Sequence, residues 1–288
     1  MIESHPIVAI RTLVYNHELF LRDYFEGIIK QQTNFPFIAV IHDDCSTDNS
    51  TAIIKEYSEK YPDIIKPIFE ESNCYQNGKW DLVEDKMRQA YNGAKYLAFC
   101  EGDDYWTDPY KLQRAIDFLE ANPDYSAIGE NGLTRNSIVN KEYLFNDDPS
   151  HDVNMEEIII TRRFPTAGVV CRMDALNGLE KATKLNIDTI LWCWLLTKGK
   201  FRYEQIVSSV YRKGAQGMTV STNSLSLGEQ AEKWQLEILR IFNVNSSFIN
   251  RNIARLYFNC SKYSLRNKKM GDTLKCIKKS IYFLLKSL

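Results

Sequence analysis

Tyr96-Leu97-Ala98-Phe99-Cys100-Glu101-Gly102-Asp103-Asp104-Tyr105-Trp106 runs from an unbroken apolar stretch straight into three carboxylates. The apolar part has the length and composition of a buried strand. Like charges packed this closely repel one another and are expensive to desolvate, so they persist where a cation neutralises them or water surrounds them. The carboxyl end of a strand is also where open α/β sheets bind ligands. Hard divalent ions such as Mg²⁺ or Mn²⁺ take oxygen ligands of this kind and bridge protein carboxylates to substrate phosphates. A solvated acidic turn ahead of a helix, with Asp108-Pro109 as its cap, is the plainer alternative, and at this point both stand.

On either side of this stretch, strand and helix signals alternate. Residues 7–14 are a short apolar run, and 18–32 carry a helical pattern through Leu19, Phe20, Tyr24, Phe25, Ile28 and Ile29. Residues 37–41 read as a second strand ending at Asp43-Asp44, and Ser46-Thr47-Asp48 opens a helix with Ile53, Ile54 and Tyr57 on its apolar side. A third strand over 64–69, a helix over 80–91, the strand at 96–100 and a helix over 111–121 complete the series. This order predicts an α/β fold whose mostly parallel, Rossmann-type sheet is covered by helices on both faces. The second half is less regular: strands are expected over 126–134, 167–172 and 201–211, with a Trp-rich helix over 187–196. From about Leu225 the pattern is helical to the end. We expect one domain over 1–222 and a C-terminal helical region over 223–288.

Composition narrows the function classes. A hydrophobic content of 44%, a charged content of 25% and a net charge of −1 are those of an ordinary globular protein, with no global attraction to nucleic acid. The charge is unevenly spread, since residues 262–288 hold eight Lys or Arg and one Asp, leaving the tail +7 and the remainder −8. The seven cysteines are scattered, without a CxxC pair, so neither a zinc site nor a disulfide framework is expected. No apolar run approaches the roughly 20 residues that cross a bilayer, and Met1-Ile2-Glu3-Ser4-His5-Pro6 lacks the pattern of a leader. The expected location is the cytoplasm.

Two acidic clusters thus end two parallel strands, Asp43-Asp44 and Glu101-Gly102-Asp103-Asp104, and right-handed crossovers put both at one edge of the sheet. Tyr15-Asn16, at the end of the first strand, joins them. An aromatic ring, several carboxylates and a cation in one crevice suit a nucleotide diphosphate. Neither GxGxxG nor GxxxxGK[ST] occurs, so hydride transfer and P-loop hydrolysis lose ground and side chains with a metal must hold the nucleotide.

The order Tyr15-Asn16, then Ile41-His42-Asp43-Asp44-Cys45-Ser46-Thr47-Asp48, then Glu101-Gly102-Asp103-Asp104 resembles family 2 glycosyltransferases, inverting enzymes of GT-A fold. That family usually shows a Thr-Tyr-Asn turn, an Asp-Asp-Gly-Ser-Thr-Asp segment and an Asp-x-Asp motif. The resemblance covers residues 5 to about 125 well and extends more loosely to about 217. It implies that Tyr15 stacks on the nucleobase, that Asp44, with Asp43 beside it, accepts a hydrogen bond from the base, that Glu101 meets the ribose, and that Asp103 binds Mn²⁺ or Mg²⁺ with Asp104 alongside. Leu13-Val14 stands where Pro-Thr is usual, Cys45 replaces a Gly, and Glu101 replaces the first Asp of the metal motif.

An inverting transfer needs a general base at the acceptor hydroxyl. The resemblance places it at a helix start in Asn186-Ile187-Asp188-Thr189-Ile190-Leu191-Trp192, with Asp188 as the candidate; an ordinary first-turn aspartate is the plain reading. Tyr211-Arg212-Lys213-Gly214-Ala215-Gln216-Gly217-Met218-Thr219 resembles the segment that closes over the donor, where Arg212 or Lys213 would meet the diphosphate. A solvated turn with two surface cations explains the same residues. His42 is expected to be a satisfied structural histidine, and Trp192 and Trp194 to pack in the core.

The expected function is therefore a metal-dependent inverting glycosyltransferase, moving a sugar from a nucleotide-sugar, with UDP as the expected nucleotide, to a hydroxyl of a glycan or lipid-linked acceptor. The resemblance points to surface glycans such as capsule or lipopolysaccharide. The rivals are an inactive nucleotide- or glycan-binding module of the same fold and a nucleotidyltransferase. In the tail, residues 274, 277, 281, 284, 285 and 288 are apolar and share one helical face, with lysines largely off it. Such a helix either docks on the protein with its lysines in water or lies on an anionic membrane surface.

Overall fold

A computed structural model describes residues 5–91, 93–185, 187–214 and 224–288. The expected closing segment beyond Gly214, including Gly217, and the expected boundary at residue 222 lie outside the described residues, as does Asn186. The chain divides into two compact units. The first takes Met1–Asn154, Arg162–Asn177 and Leu195–Lys213; the second takes Met155–Thr161, Gly178–Trp194 and Gly214–Leu288.

In chain order the elements are β1 (Val8–Val14), α1 (Leu21–Ile29), β2 (Phe37–Asp43), α2 (Ser50–Lys60), β3 (Ile65–Phe69), α3 (Trp80–Ala90), β4 (Tyr96–Phe99), β5 (Tyr105–Trp106) and α4 (Lys111–Ala121). They continue as β6 (Tyr125–Asn136), β7 (Lys141–Leu144), β8 (His151–Asp152), α5 (Met155–Ile160), β9 (Val169–Arg172), α6 (Leu179–Ala182), α7 (Asp188–Leu196) and β10 (Lys200–Lys213). Three longer helices follow: α8 (Ser224–Ile241), α9 (Ser246–Arg266) and α10 (Met270–Lys286).

The first unit is built on one mixed sheet in the order β3-β2-β1-β4-β9-β6-β10-β5. Its first four strands run parallel, as the alternating pattern predicts. β9 then enters antiparallel to both β4 and β6, and β10 returns parallel to β6. Helix α1 buries Leu21, Tyr24, Phe25 and Ile28, the i, i+3, i+4, i+7 stripe of an amphipathic helix. Phe25 stacks on Tyr57 of α2 with ring centres 4.3 Å apart. Against them lie Ile10, Ile41 and Ala98, inner residues of β1, β2 and β4. Full burial of side chains this size is worth about 1.5–3 kcal/mol each, which fixes the strands and therefore the loops at their carboxyl ends.

In the second unit Asn245 caps α9 by accepting hydrogen bonds from Ser247 N and Phe248 N. Tyr257 of α9 stacks parallel to Phe283 of α10 and donates its hydroxyl to Glu232 of α8, which also pairs with Lys279. Helix α10 docks through Thr273, Cys276 and Phe283, with Ser280 Oγ donating to Ala254 O of α9. This corrects the docked-helix expectation in one respect: the apolar set at 274, 277, 281, 284, 285 and 288 is the exposed face, not the docked one. Close approach of two helices favours the small residues 273, 276 and 280 over leucines. Among the described residues no helix is long and apolar enough to cross a membrane.

Candidate active site

Three loops meet at the carboxyl ends of β2, β1 and β4. Asp44 N donates to Val14 O, and Gly102 N donates to Leu13 O. Asn16 sits in the left-handed region at φ +58°, which asparagine tolerates better than most residues. From there its Oδ1 accepts from Thr47 N at 2.8 Å and Asp48 N at 3.4 Å, tying the first loop to the second. Cys45 is also left-handed at φ +62°. A residue with a Cβ bears roughly 1–2 kcal/mol of strain there.

The carboxylates differ sharply in how far the protein already uses them. Asp43 is buried, and its oxygens accept from Ser46 N, Ser46 Oγ and Thr51 Oγ1. Asp44 is buried too, with Oδ1 taking Cys74 N at 2.6 Å and Oδ2 taking Tyr75 N at 3.1 Å. Glu101 folds back on β1: Oε2 accepts Leu13 N at 2.9 Å, and Oε1 lies 3.4 Å from Arg11, which also pairs with Glu84. The extra methylene of glutamate is what lets this carboxylate reach the strand.

Asp103 is the exception. Its carboxylate accepts no hydrogen bond and forms no ion pair among the described residues, and it is only partly buried. Its neighbour Asp104 is 3% exposed and accepts Arg212 N at 2.8 Å. Burial, reinforced by Asp103 and Glu101, pushes the Asp104 carboxyl well above the usual carboxylate range, although the Arg212 amide and Arg162 pull the other way. Negative charge at this turn is therefore under-compensated, which is the condition a divalent cation relieves. Among the described residues no three His, Cys, Asp or Glu side chains are grouped to cage an ion. A cation held by one or two carboxylates plus a ligand's phosphates fits this donor set.

Arg212, from β10, steadies the same turn. Its Nη1 donates to Asp103 O at 3.0 Å, Nη2 pairs with Asp23, and the guanidinium lies 4.4 Å from the Tyr105 ring centre and 5.2 Å from that of Phe20. Tyr15 is 38% exposed, and its ring meets no other ring or cation among the described residues. Asp188 is the first residue of α7, within the second unit. His42 is buried and bonded to Glu70, and Trp192 is buried in turn.

Sequence reading passed over His17. Its Nδ1 is buried without a hydrogen-bond partner, and burial lowers its pKa against the pull of Asp103, Asp48 and Asp43. It packs over Gly102, where an added Cβ would come within 2.9 Å of Nδ1 and 2.8 Å of Val14 Cγ2. We expect Gly102→Ala to cost about 1–3 kcal/mol through overpacking, seen as a lower melting temperature. It should also weaken nucleotide binding, because the acidic turn is pushed off its seat. The Asn73-Cys74-Tyr75 loop that grips Asp44 was also missed; its residues carry no periodicity.

Residues 10–143 match the model of Glycosyl transferase family 2. An uncharacterized protein of Mycobacterium tuberculosis is 28% identical over 218 residues, 73% of this chain and 60% of that protein. The chain thus spans less than two thirds of that relative's length. Among solved structures, S. aureus TarS 1-349 in complex with UDP-GlcNAc superposes with a TM-score of 0.68 at 16% identity, covering 96% of this chain and 81% of that one. Mannosyltransferase PcManGT from Pyrobaculum calidifontis, in complex with GDP-Man and Mn²⁺, gives 0.60 at 13% identity, covering 99% and 76%. At these identities the likeness is one of fold, and the fold is GT-A.

Proposed function

We infer that the chain is a metal-dependent inverting glycosyltransferase that moves a sugar from a nucleotide-sugar to a hydroxyl of a glycan or lipid-linked acceptor. The observation that carries this reading is the Asp103 carboxylate, open among the described residues, beside buried Asp104, at the sheet edge where Tyr15 presents a ring that no described residue stacks on. The match of residues 10–143 to the family 2 model supports it. So do the UDP-GlcNAc and GDP-Man complexes of its structural neighbours.

In this reading Tyr15 stacks on the base and Asp103 holds Mn²⁺ or Mg²⁺. A bound divalent ion supplies Lewis-acid charge stabilisation for the departing diphosphate. Asp43, Asp44 and Glu101 shape the loops, with Asp44 and Glu101 positioned to exchange their backbone partners for donor groups. Arg212 fixes the Asp103-Asp104 turn and adds positive charge near the diphosphate. Asp188 takes the proton from the acceptor oxygen as that oxygen attacks the anomeric carbon. UDP is the expected nucleotide and a bacterial surface glycan the expected destination.

Melting temperatures with UDP, GDP, CDP and dTDP, each with and without Mn²⁺, test the donor side, since a ligand of the folded state raises the midpoint by mass action. A metal-dependent rise with one nucleotide supports the reading and identifies the donor class; no rise with any nucleotide overturns it. For the acceptor side, Asp188→Ala should retain the nucleotide shift and lower transfer by about 10²–10⁴-fold. If transfer persists undiminished, another group is the base. A nucleotide shift with neither transfer nor donor hydrolysis in wild type would instead mark a binding module.

A further inference from the structure

Helix α10 and the residues after it leave six apolar side chains in solvent: Leu274, Ile277, Ile281, Leu284, Leu285 and Leu288, from 38% exposed at Ile277 to 98% at Leu288. At 3.6 residues per turn they form a stripe about 100° wide. The docked residues Thr273, Cys276 and Phe283 fall on one side of it, and Lys275, Lys278 and Lys286 on the other. On α9, Phe258 lies one turn beyond Ala254, whose carbonyl receives Ser280 of α10, so it borders the same helix; it is half exposed, with Lys262 Nζ 4.4 Å from its ring centre. Tyr282, half exposed, is paired in the same way with Lys286 at 4.7 Å. Single exposed leucines are common, but a contiguous exposed apolar strip marks a contact surface.

We propose that this face of α10 is a docking surface for an anionic lipid bilayer, the helix lying in the plane of the interface. The charge pattern selects this occupant. Lys262, Lys268, Lys269, Lys275, Lys278 and Lys286 make no ion pair among the described residues, and residues 262–288 carry a net +7. A second copy packed antiparallel on the same face would bring the two lysine-bearing flanks side by side, which repels. Lipid headgroups supply the missing negative charge, while the lysine stems run along apolar surface to reach them. The tyrosine at the rim suits headgroup depth. An amphipathic helix of this kind binds by its apolar area plus attraction to anionic lipid. The proposal is independent of the glycosyltransferase reading.

The test is flotation of the full chain with vesicles of phosphatidylcholine, with or without phosphatidylglycerol. Binding is expected to the mixed vesicles, weakened by high salt and much reduced on pure phosphatidylcholine. Ile281→Glu/Leu285→Glu should lower binding by about tenfold or more, and Lys275→Glu/Lys278→Glu by about fivefold per lysine. All four positions are exposed, so melting temperature and circular dichroism should stay unchanged. Protection of the α10 amides from hydrogen exchange by mixed vesicles gives a reading that needs no variant. Equal partitioning of wild type and Ile281→Glu/Leu285→Glu, or no α10 protection, overturns the proposal. So does a dimer in light scattering that Ile281→Glu dissolves while vesicles bind nothing.

Discussion

Asp103→Ala is expected to remove the metal-dependent part of nucleotide binding and to lower sugar transfer by about 10³-fold, without lowering the melting temperature of the ligand-free protein. The two halves of that outcome have one origin. Of the three carboxylates on the turn, Glu101 is compensated by Leu13 N and Arg11, and Asp104 by the Arg212 amide. Asp103 has no partner among the described residues and adds to the repulsion that raises the Asp104 pKa. Its removal therefore relieves the empty turn and deprives a cation of its most available ligand. Treating wild type with EDTA should reproduce the variant's nucleotide shift, and adding EDTA to the variant should change little. Glu101→Ala makes the contrast, because it frees a backbone amide and leaves Arg11 with Glu84 as its one ion-pair partner among the described residues, so it should lower stability before any ligand is added. If Asp103→Ala keeps a full Mn²⁺-dependent shift, the metal role assigned to that carboxylate fails.

The first half of the fold was legible because apolar runs there end abruptly in charge or turn residues. The segment 111–121 coincides with α4, and the strand at 96–100 differs from β4 by a single residue. The gathering of the Tyr15, Asp43-Asp44 and Glu101–Asp104 loops at one edge followed from parallel pairing alone, and the cross-loop hydrogen bonds of Asn16, Asp44 and Gly102 bear out that convergence. What each carboxylate touches was not legible, since it depends on which amides a neighbouring strand leaves open: Leu13 N for Glu101, Cys74 N and Tyr75 N for Asp44. β5, two residues long, carries no periodicity. In β10 the register shifts between Glu204 and Ser209 interrupt an alternation that otherwise reads as one strand. For α10 the pattern correctly grouped six apolar residues on one face, yet periodicity says only which residues share a face, not which face docks.

A second large effect is expected far from any ligand. Glu130→Ala should destabilise the first unit by about 3–5 kcal/mol, a large part of the 5–15 kcal/mol available to a typical domain. Glu130 of β6 is fully buried between two cations of α4. Arg114 binds it with Nε at 2.7 Å and Nη2 at 3.1 Å, and Lys111 Nζ lies 3.4 Å away. Lys111 is itself fully buried; it donates to Gly168 O at 2.8 Å and lies 5.5 Å from the Trp106 ring centre. Burial lowers the Lys111 pKa, and Glu130 is the largest influence opposing that shift. Arg114 can turn to Asp108, already 2.8 Å away, and is partly exposed; Lys111 pairs with no second carboxylate among the described residues. The loss in Glu130→Ala should thus come mainly from one stranded ammonium, and Lys111→Met in the same chain should restore most of it, because an apolar side chain of similar volume needs no counter-charge. Urea unfolding decides the matter through a lowered midpoint at unchanged slope for Glu130→Ala and a recovered midpoint for the double variant. Equal midpoints for the single and double variants would place the energy in the Arg114 contact instead.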